Sequence, residues 1–138
     1  EAIDMLHEEG LERVFARHDR HAEGTRRAIR AWGLDILCRD PKYYSSSLTA
    51  VLMPEGHDAD AFRKAALDAF DISLGTGLTK VAKKVFRIGH LGDTNDLTML
   101  GALAGVEMGL ALAKVPHKPG GVQAAMDYFA SAAKAGHA

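Results

Sequence analysis

Lys84-Val85-Phe86-Arg87-Ile88-Gly89-His90-Leu91-Gly92-Asp93 is the stretch on which the reading of the whole chain turns. Its first six residues alternate as a strand does, with Phe86 and Ile88 on one face and Val85, Arg87 and Gly89 on the other. Arg87 is therefore a guanidinium set in an element otherwise suited to burial. A buried charge left without its partner costs on the order of 3–5 kcal/mol, so Arg87 needs an acid. Its planar fork matches a carboxylate through two parallel hydrogen bonds. An Asp or Glu of the same domain and the carboxylate of a ligand meet that need equally well at this point.

Outward from this strand, helices and short strands alternate. On the C-terminal side, Asp93 or Thr94 is placed to cap a helix over residues 95–114, stopped by Pro116 and Pro119. A last amphipathic helix follows, with Val122, Ala125, Met126, Phe129 and Ala133 at helical spacing. On the N-terminal side, a strand is predicted over residues 71–74, leading into Gly75-Thr76-Gly77, and before it a helix with Phe62, Ala65, Ala66 and Ala69 on one face, capped by Asp58 or Asp60. Residues 47–53, ended by Pro54, and residues 34–38, broken by Arg39-Asp40-Pro41, read as two further strands. Val14, Phe15, His18, Ala22, Thr25, Ile29 and Trp32 recur at three- and four-residue spacing, the mark of a long opening helix that Gly33 stops. Its other face, with Arg13, Arg17, Asp19, Arg20, Glu23, Arg26, Arg27 and Arg30, carries both signs and is expected to be solvated. This order predicts an α+β fold, a small mostly antiparallel sheet of three to four strands packed with helices.

The totals fit one domain. The chain has 138 residues, 47% of them hydrophobic, and a formal net charge of -1, so no global field favours nucleic acid or an anionic membrane. Cys38 is the only cysteine, which rules out an intrachain disulfide framework and is compatible with a reducing cytoplasm; a small core hydrophobe is its expected role. The chain opens on Glu1-Ala2-Ile3-Asp4-Met5-Leu6, without an initiating Met and as though mid-helix. The expectation is a piece of a longer polypeptide, with no secretory signal at its start.

Several patterns that suggest chemistry have plainer readings. Residues 97–113 are nearly all apolar but include Glu107 and fall short of the ~20 residues that a membrane span needs. Within them Gly101, Gly105 and Gly109 form a ridge of small residues, expected to let the helix lie close between the sheet and another surface. His18 and His21 are three apart on a helix, a spacing that a metal accepts only with further ligands, and none is evident, so no metal site is assigned. His7, His57, His90, His117 and His137 are scattered, and surface or loop positions are expected for them. Residues 74–80, Leu-Gly-Thr-Gly-Leu-Thr-Lys, lack both the ending of a P-loop and the third glycine of a dinucleotide loop. Gly75-Thr76-Gly77 reads instead as a tight turn whose glycines allow positive φ, or as a loop edging an active site.

The segment Arg87-Ile88-Gly89, together with residues 44–58, 74–78 and 101–110 in the same order and spacing, resembles the class V, fold-type I aminotransferases, and within them the serine-glyoxylate branch. The resemblance covers nearly the whole chain. It implies a transferase that uses pyridoxal phosphate to move the amino group of serine to glyoxylate, leaving hydroxypyruvate and glycine. This chain would be its C-terminal small domain, residues 1–138, with residues 1–32 a long connecting helix from an absent large domain. It implies that Arg87 binds the α-carboxylate of amino-acid and 2-oxo-acid substrates, and that Gly75, Thr76 and Gly77 lie near the active-site mouth. None of Lys42, Lys64, Lys80, Lys83, Lys84, Lys114, Lys118 or Lys134 stands in the family's Schiff-base motif, so no catalytic or cofactor-binding residue is assigned and the piece alone is expected to be inactive. The parent is expected to be a homodimer. Alternatives are an alanine-glyoxylate or other glyoxylate-dependent aminotransferase, and a non-catalytic α+β module that binds a carboxylate or a partner.

Overall fold

A computed structural model describes residues 1–136; His137 lies outside them. Five helices and four strands follow in the order α1 (Ala2–Glu9), α2 (Leu11–Trp32), β1 (Asp35–Ile36), β2 (Leu48–Leu52), α3 (Ala59–Phe70), β3 (Gly75–Thr76), β4 (Val85–Gly89), α4 (Asp96–Leu112) and α5 (Gly121–Gly136). The strands form one sheet in the order β1-β2-β4-β3, every neighbouring pair antiparallel. The α+β prediction with a small antiparallel sheet therefore holds.

The alternation seen in the sequence sorts the two faces of the sheet. Thr49 and Val51 of β2 pair with Ile88 and Phe86 of β4, and all four are buried. They join Trp32, Phe62, Leu103, Val106, Leu110 and Phe129 under the helices. The opposite face carries Leu48, Ala50 and Leu52 beside Gly89, Arg87 and Val85. Apart from Val85, these residues are only half-covered or exposed. One face of the sheet is thus a core, and the other is left largely open around Arg87.

The local signals mostly act as expected. Gly33 ends α2 at φ 75°, the left-handed cap that glycine takes without a Cβ penalty. Asp58, rather than Asp60, caps α3 by accepting from the N–H groups of Asp60 and Ala61. α4 is capped by Asn95, not by Asp93 or Thr94, through a reciprocal pair in which the Asn95 side chain takes the Thr98 N–H and the Thr98 hydroxyl takes the Asn95 N–H.

Three expectations need correction. The opening helix is two helices, because Gly10 at φ 86° leaves the helical path and its N–H ends α1 on the Leu6 carbonyl. The strand predicted over residues 71–74 lies instead at Gly75–Thr76. Asp71 turns left-handed at φ 54° to end α3, and the Leu74 carbonyl is taken by Arg63 Nε at 2.7 Å instead of by a ladder. The glycine ridge of α4 is only partly used, and against a helix and its exit rather than the sheet: Gly109 abuts Phe62 and Ala66 of α3, Gly105 abuts Ile72, and Gly101 meets nothing. None of the described helices is long and apolar enough to cross a membrane.

Candidate active site

Arg87 sits mid-way along β4, in register between Ala50 of β2 and Gly75 of β3. Both flanking residues are small, so the long side chain has room to lie across the sheet. It leans toward β3: a Cβ built on Gly75 would lie 3.0 Å from Arg87 Cβ and Nε and 3.5 Å from Cζ. The side chain is half-buried, and its Nε is buried without a hydrogen-bond partner. None of the ion pairs among the described residues includes it. Of the two acids open to it from sequence, the carboxylate of its own domain is therefore not found. Arg87 lines neither of the two cavities described below; it lies on the open sheet face.

The Gly75-Thr76-Gly77 segment is beside Arg87, but its parts face different ways. Gly75 is on the Arg87 face, and Thr76, one residue on, is on the helix side of the sheet. There its hydroxyl donates to Asp60 Oδ1 at 2.9 Å, which also receives Arg63 Nη1 at 2.9 Å. These two donors, Thr76 first and Arg63 second, hold the Asp60 carboxyl below its usual range. The edge strand is thereby tied to α3. Neither Gly75 nor Gly77 has a positive φ, so the conformational reason expected for these glycines is wrong. Space is the reason: a Cβ on Gly77 would run into the Val81 carbonyl, a tighter approach than that of Gly75 to Arg87.

The loop that leaves β4 is held by residues read from sequence as a solvated face or as scattered histidines. Arg17 grips both oxygens of Glu9 at 2.7 Å and donates to the carbonyls of Gly92 and Thr94 at 2.7 and 3.0 Å. Its bond to Glu9 keeps that carboxyl below the usual range. Arg20 and His21 both donate to Asp96 Oδ1, at 2.9 and 3.0 Å. Burial pushes His21 down, against the pull of Asp96. His18 donates through Nδ1 to the Val14 carbonyl and accepts the Gly92 N–H at Nε2. Both nitrogens of His18 and His21 thus serve protein groups, and the pair does not converge on a common point. His90, expected at the surface, is fully buried. It donates to the Ser46 carbonyl at 2.9 Å and pairs with the Thr49 hydroxyl at 3.0 Å. Burial pushes it down to about 4, opposed by the Ser46 carbonyl and assisted by Arg26. No sequence signal identifies this latch, because its bonds across the fold join residues 41 to 77 positions apart.

Among the described residues, a larger and a smaller cavity flank the fold. The larger, about 940 Å³, lies between α1, the start of α2 and residues 45–47 and 91–93, with Met5, Leu6, Phe15 and Leu91 in its lining. The smaller, about 210 Å³, is lined by Leu48 and Ala50 of the open sheet face with Cys38, Tyr43 and Tyr44. All the lysines are exposed, and none lines either cavity. A Schiff-base lysine needs a low-dielectric site to lower its pKa, so the residues present do not fit a pyridoxal phosphate cradle.

No protein-family model matches the chain. It is 50% identical to the serine-glyoxylate aminotransferase of Methylorubrum extorquens over 130 residues, which is 94% of this chain and 32% of the relative. The chain is homologous to the serine-glyoxylate aminotransferases. It spans about a third of the length of the relatives it matches, here 32%. The L-aspartate-glyoxylate aminotransferase of Paracoccus denitrificans is 48% identical over 88% of the chain and 31% of its own length. The fold agrees as well: ureidoglycine-glyoxylate aminotransferase from Bacillus subtilis superposes with a TM-score of 0.86 at 31% identity, over 92% of this chain and 33% of that one.

Proposed function

We propose that residues 1–138 are the C-terminal small domain of a pyridoxal-phosphate-dependent transaminase that moves the amino group of serine to glyoxylate, and that Arg87 clamps the substrate carboxylate. The observation that carries this reading is Arg87 itself, a guanidinium whose Nε is buried and unpartnered on the open face of its sheet. A substrate carboxylate supplies the missing acid, and two parallel bonds to it fix the substrate's orientation as well as its position. Amino donors and 2-oxo acids share that group, so one clamp serves both halves of the reaction. The cofactor, which supplies the electron sink, and its lysine belong to the large domain of the same polypeptide, which covers the open sheet face. Residues 1–32 connect the two. Gly75, Thr76 and Gly77 edge the active site. The parent is a cytoplasmic homodimer with no nucleic-acid or membrane partner.

The aspartate-specific name of one relative at 48% identity supports a second reading of the donor, in which another amino acid replaces serine while the clamp is unchanged. Donor profiling of the full-length enzyme separates the two.

The clamp is tested by Arg87→Ala and Arg87→Lys in the full-length protein. Loss of charge-assisted bonds predicts a fall in kcat/KM on the order of a hundredfold for serine and for glyoxylate in Arg87→Ala, with bound cofactor, read by its absorbance, unchanged. Unchanged kcat/KM, or equal loss of cofactor, refutes the assignment.

A further inference from the structure

We infer that Gly75 is a positioning residue for the Arg87 guanidinium, an inference that rests on the clamp reading above. The two residues are direct partners across β3 and β4. The Gly75 backbone is not in the left-handed region, so its conformation alone does not call for glycine. What calls for it is the side chain lying over it. A methyl at this position would sit 3.0 Å from Arg87 Cβ and Nε and 3.5 Å from Cζ, tighter than carbon and nitrogen atoms accept at van der Waals contact.

One of the neighbours has to yield, and the surroundings decide which. β3 cannot retreat easily, because Thr76 is bonded to Asp60 and the Gly77 N–H is bonded to the Val85 carbonyl at 2.9 Å. Arg87 Cβ is held by the central strand β4, paired on both sides. The free element is the outer part of the Arg87 side chain, which has rotatable bonds and no protein partner at Nε. A methyl on Gly75 therefore turns the guanidinium away from its resting course over β3. Gly75 acts as the floor on which the fork lies flat, and Ala50 on the other side leaves no wall to hold the fork once it is displaced. The missing side chain at position 75 sets the angle at which Arg87 meets a carboxylate.

The test uses the full-length holoenzyme and L-glycerate, which keeps the carboxylate of serine and replaces its amino group by a hydroxyl, so that it binds without reacting. Calorimetric titration gives the Kd. Gly75→Ala is expected to weaken L-glycerate about tenfold, the scale of one weakened charge-assisted hydrogen bond, with cofactor content unchanged. Alanine has no atom beyond Cβ to lie over position 75, so Gly75→Ala made in the Arg87→Ala background is expected to change the weakened Kd by less than about twofold, a non-additive cycle. An additive cycle, or an unchanged Kd in Gly75→Ala, overturns the inference. If Gly75→Ala is recovered folded only together with Arg87→Ala, the clash with the Arg87 side chain is the cause and the inference stands. If neither folds, the glycine serves the sheet alone and the inference fails. Arg87→Ala separates this from the parent reading: an unchanged Kd there sinks the clamp itself, whereas loss of binding there with none in Gly75→Ala sinks only the role of Gly75.

Discussion

Replacing Glu107 by leucine should loosen the junction between α2, α4 and α5. Glu107 interrupts the apolar run of α4, and its carboxylate accepts the Trp32 indole N–H at 2.9 Å, the Gly120 N–H at 2.8 Å and the Val122 N–H at 3.0 Å. It therefore acts as the cap of α5 from another helix while holding the indole that ends α2. Burial alone would raise this carboxyl, but the three N–H donors, Trp32 foremost, outweigh it and hold it below the usual range. Trp32 is 1% exposed, so its N–H has no water to turn to and loses about 1–3 kcal/mol when the acceptor goes. The uncapped first turn of α5 adds about 0.5–2 kcal/mol, reduced because Gly120 is exposed and can bind water. A loss of about 2–4 kcal/mol follows, or roughly 5–15 °C in Tm; Glu107→Gln, which keeps one acceptor oxygen, should lose about half as much. The carboxyl is depressed in the folded state, so its contribution is present above the ordinary carboxylate range and disappears as pH falls through the folded value. The gap between wild type and Glu107→Gln should narrow on acidification. Thermal unfolding of the protein gives the global figure, and hydrogen exchange at Gly120 and Val122 gives the local one. A Glu107→Leu variant within 0.5 kcal/mol of wild type, with the two amides still protected, refutes this account.

Two further outcomes can be measured on the same footing. His90 is held neutral, pushed from an ordinary 6.5 to about 4, so the unfolded chain binds the extra proton; the stability it contributes is complete above about 6.5 and lost as pH falls toward 4, on the order of 3 kcal/mol. Urea midpoints of His90→Gln against pH should be flatter across that window than those of wild type, and equal slopes count against the buried neutral ring. Gly24→Ala should destabilise by about 1–3 kcal/mol, despite the roughly 1 kcal/mol that alanine gains over glycine in a helix, because a methyl there runs into the ring of buried Phe129; a raised Tm would show that α2 and α5 separate freely.

Arg87 was visible from its strand alone, since alternation around Phe86 and Ile88 sets its face and the cost of a lone charge demands a partner. The kind of partner was not visible. Only the folded domain shows that, among the described residues, no internal acid pairs with Arg87 and its buried Nε has no partner. Gly75 was singled out as a loop glycine for the wrong reason, because its need comes from a side chain twelve positions away across a register that no local pattern states. The same holds for β3, displaced because Arg63 claims the Leu74 carbonyl, and for Arg17, Arg20 and His90, whose partners lie across the fold.

By itself the sequence determined helices α2 to α5, the central strands β2 and β4 and the stops at Gly33 and Pro54, because periodicity and helix stops depend on neighbours within about four positions. The tertiary structure alone decided which polar groups are buried, which glycine makes room for which side chain, and which face of the sheet stays open. Those outcomes depend on which surfaces meet when distant segments pack. A charged or polar side chain has no environment until its neighbours from elsewhere in the chain have taken their places.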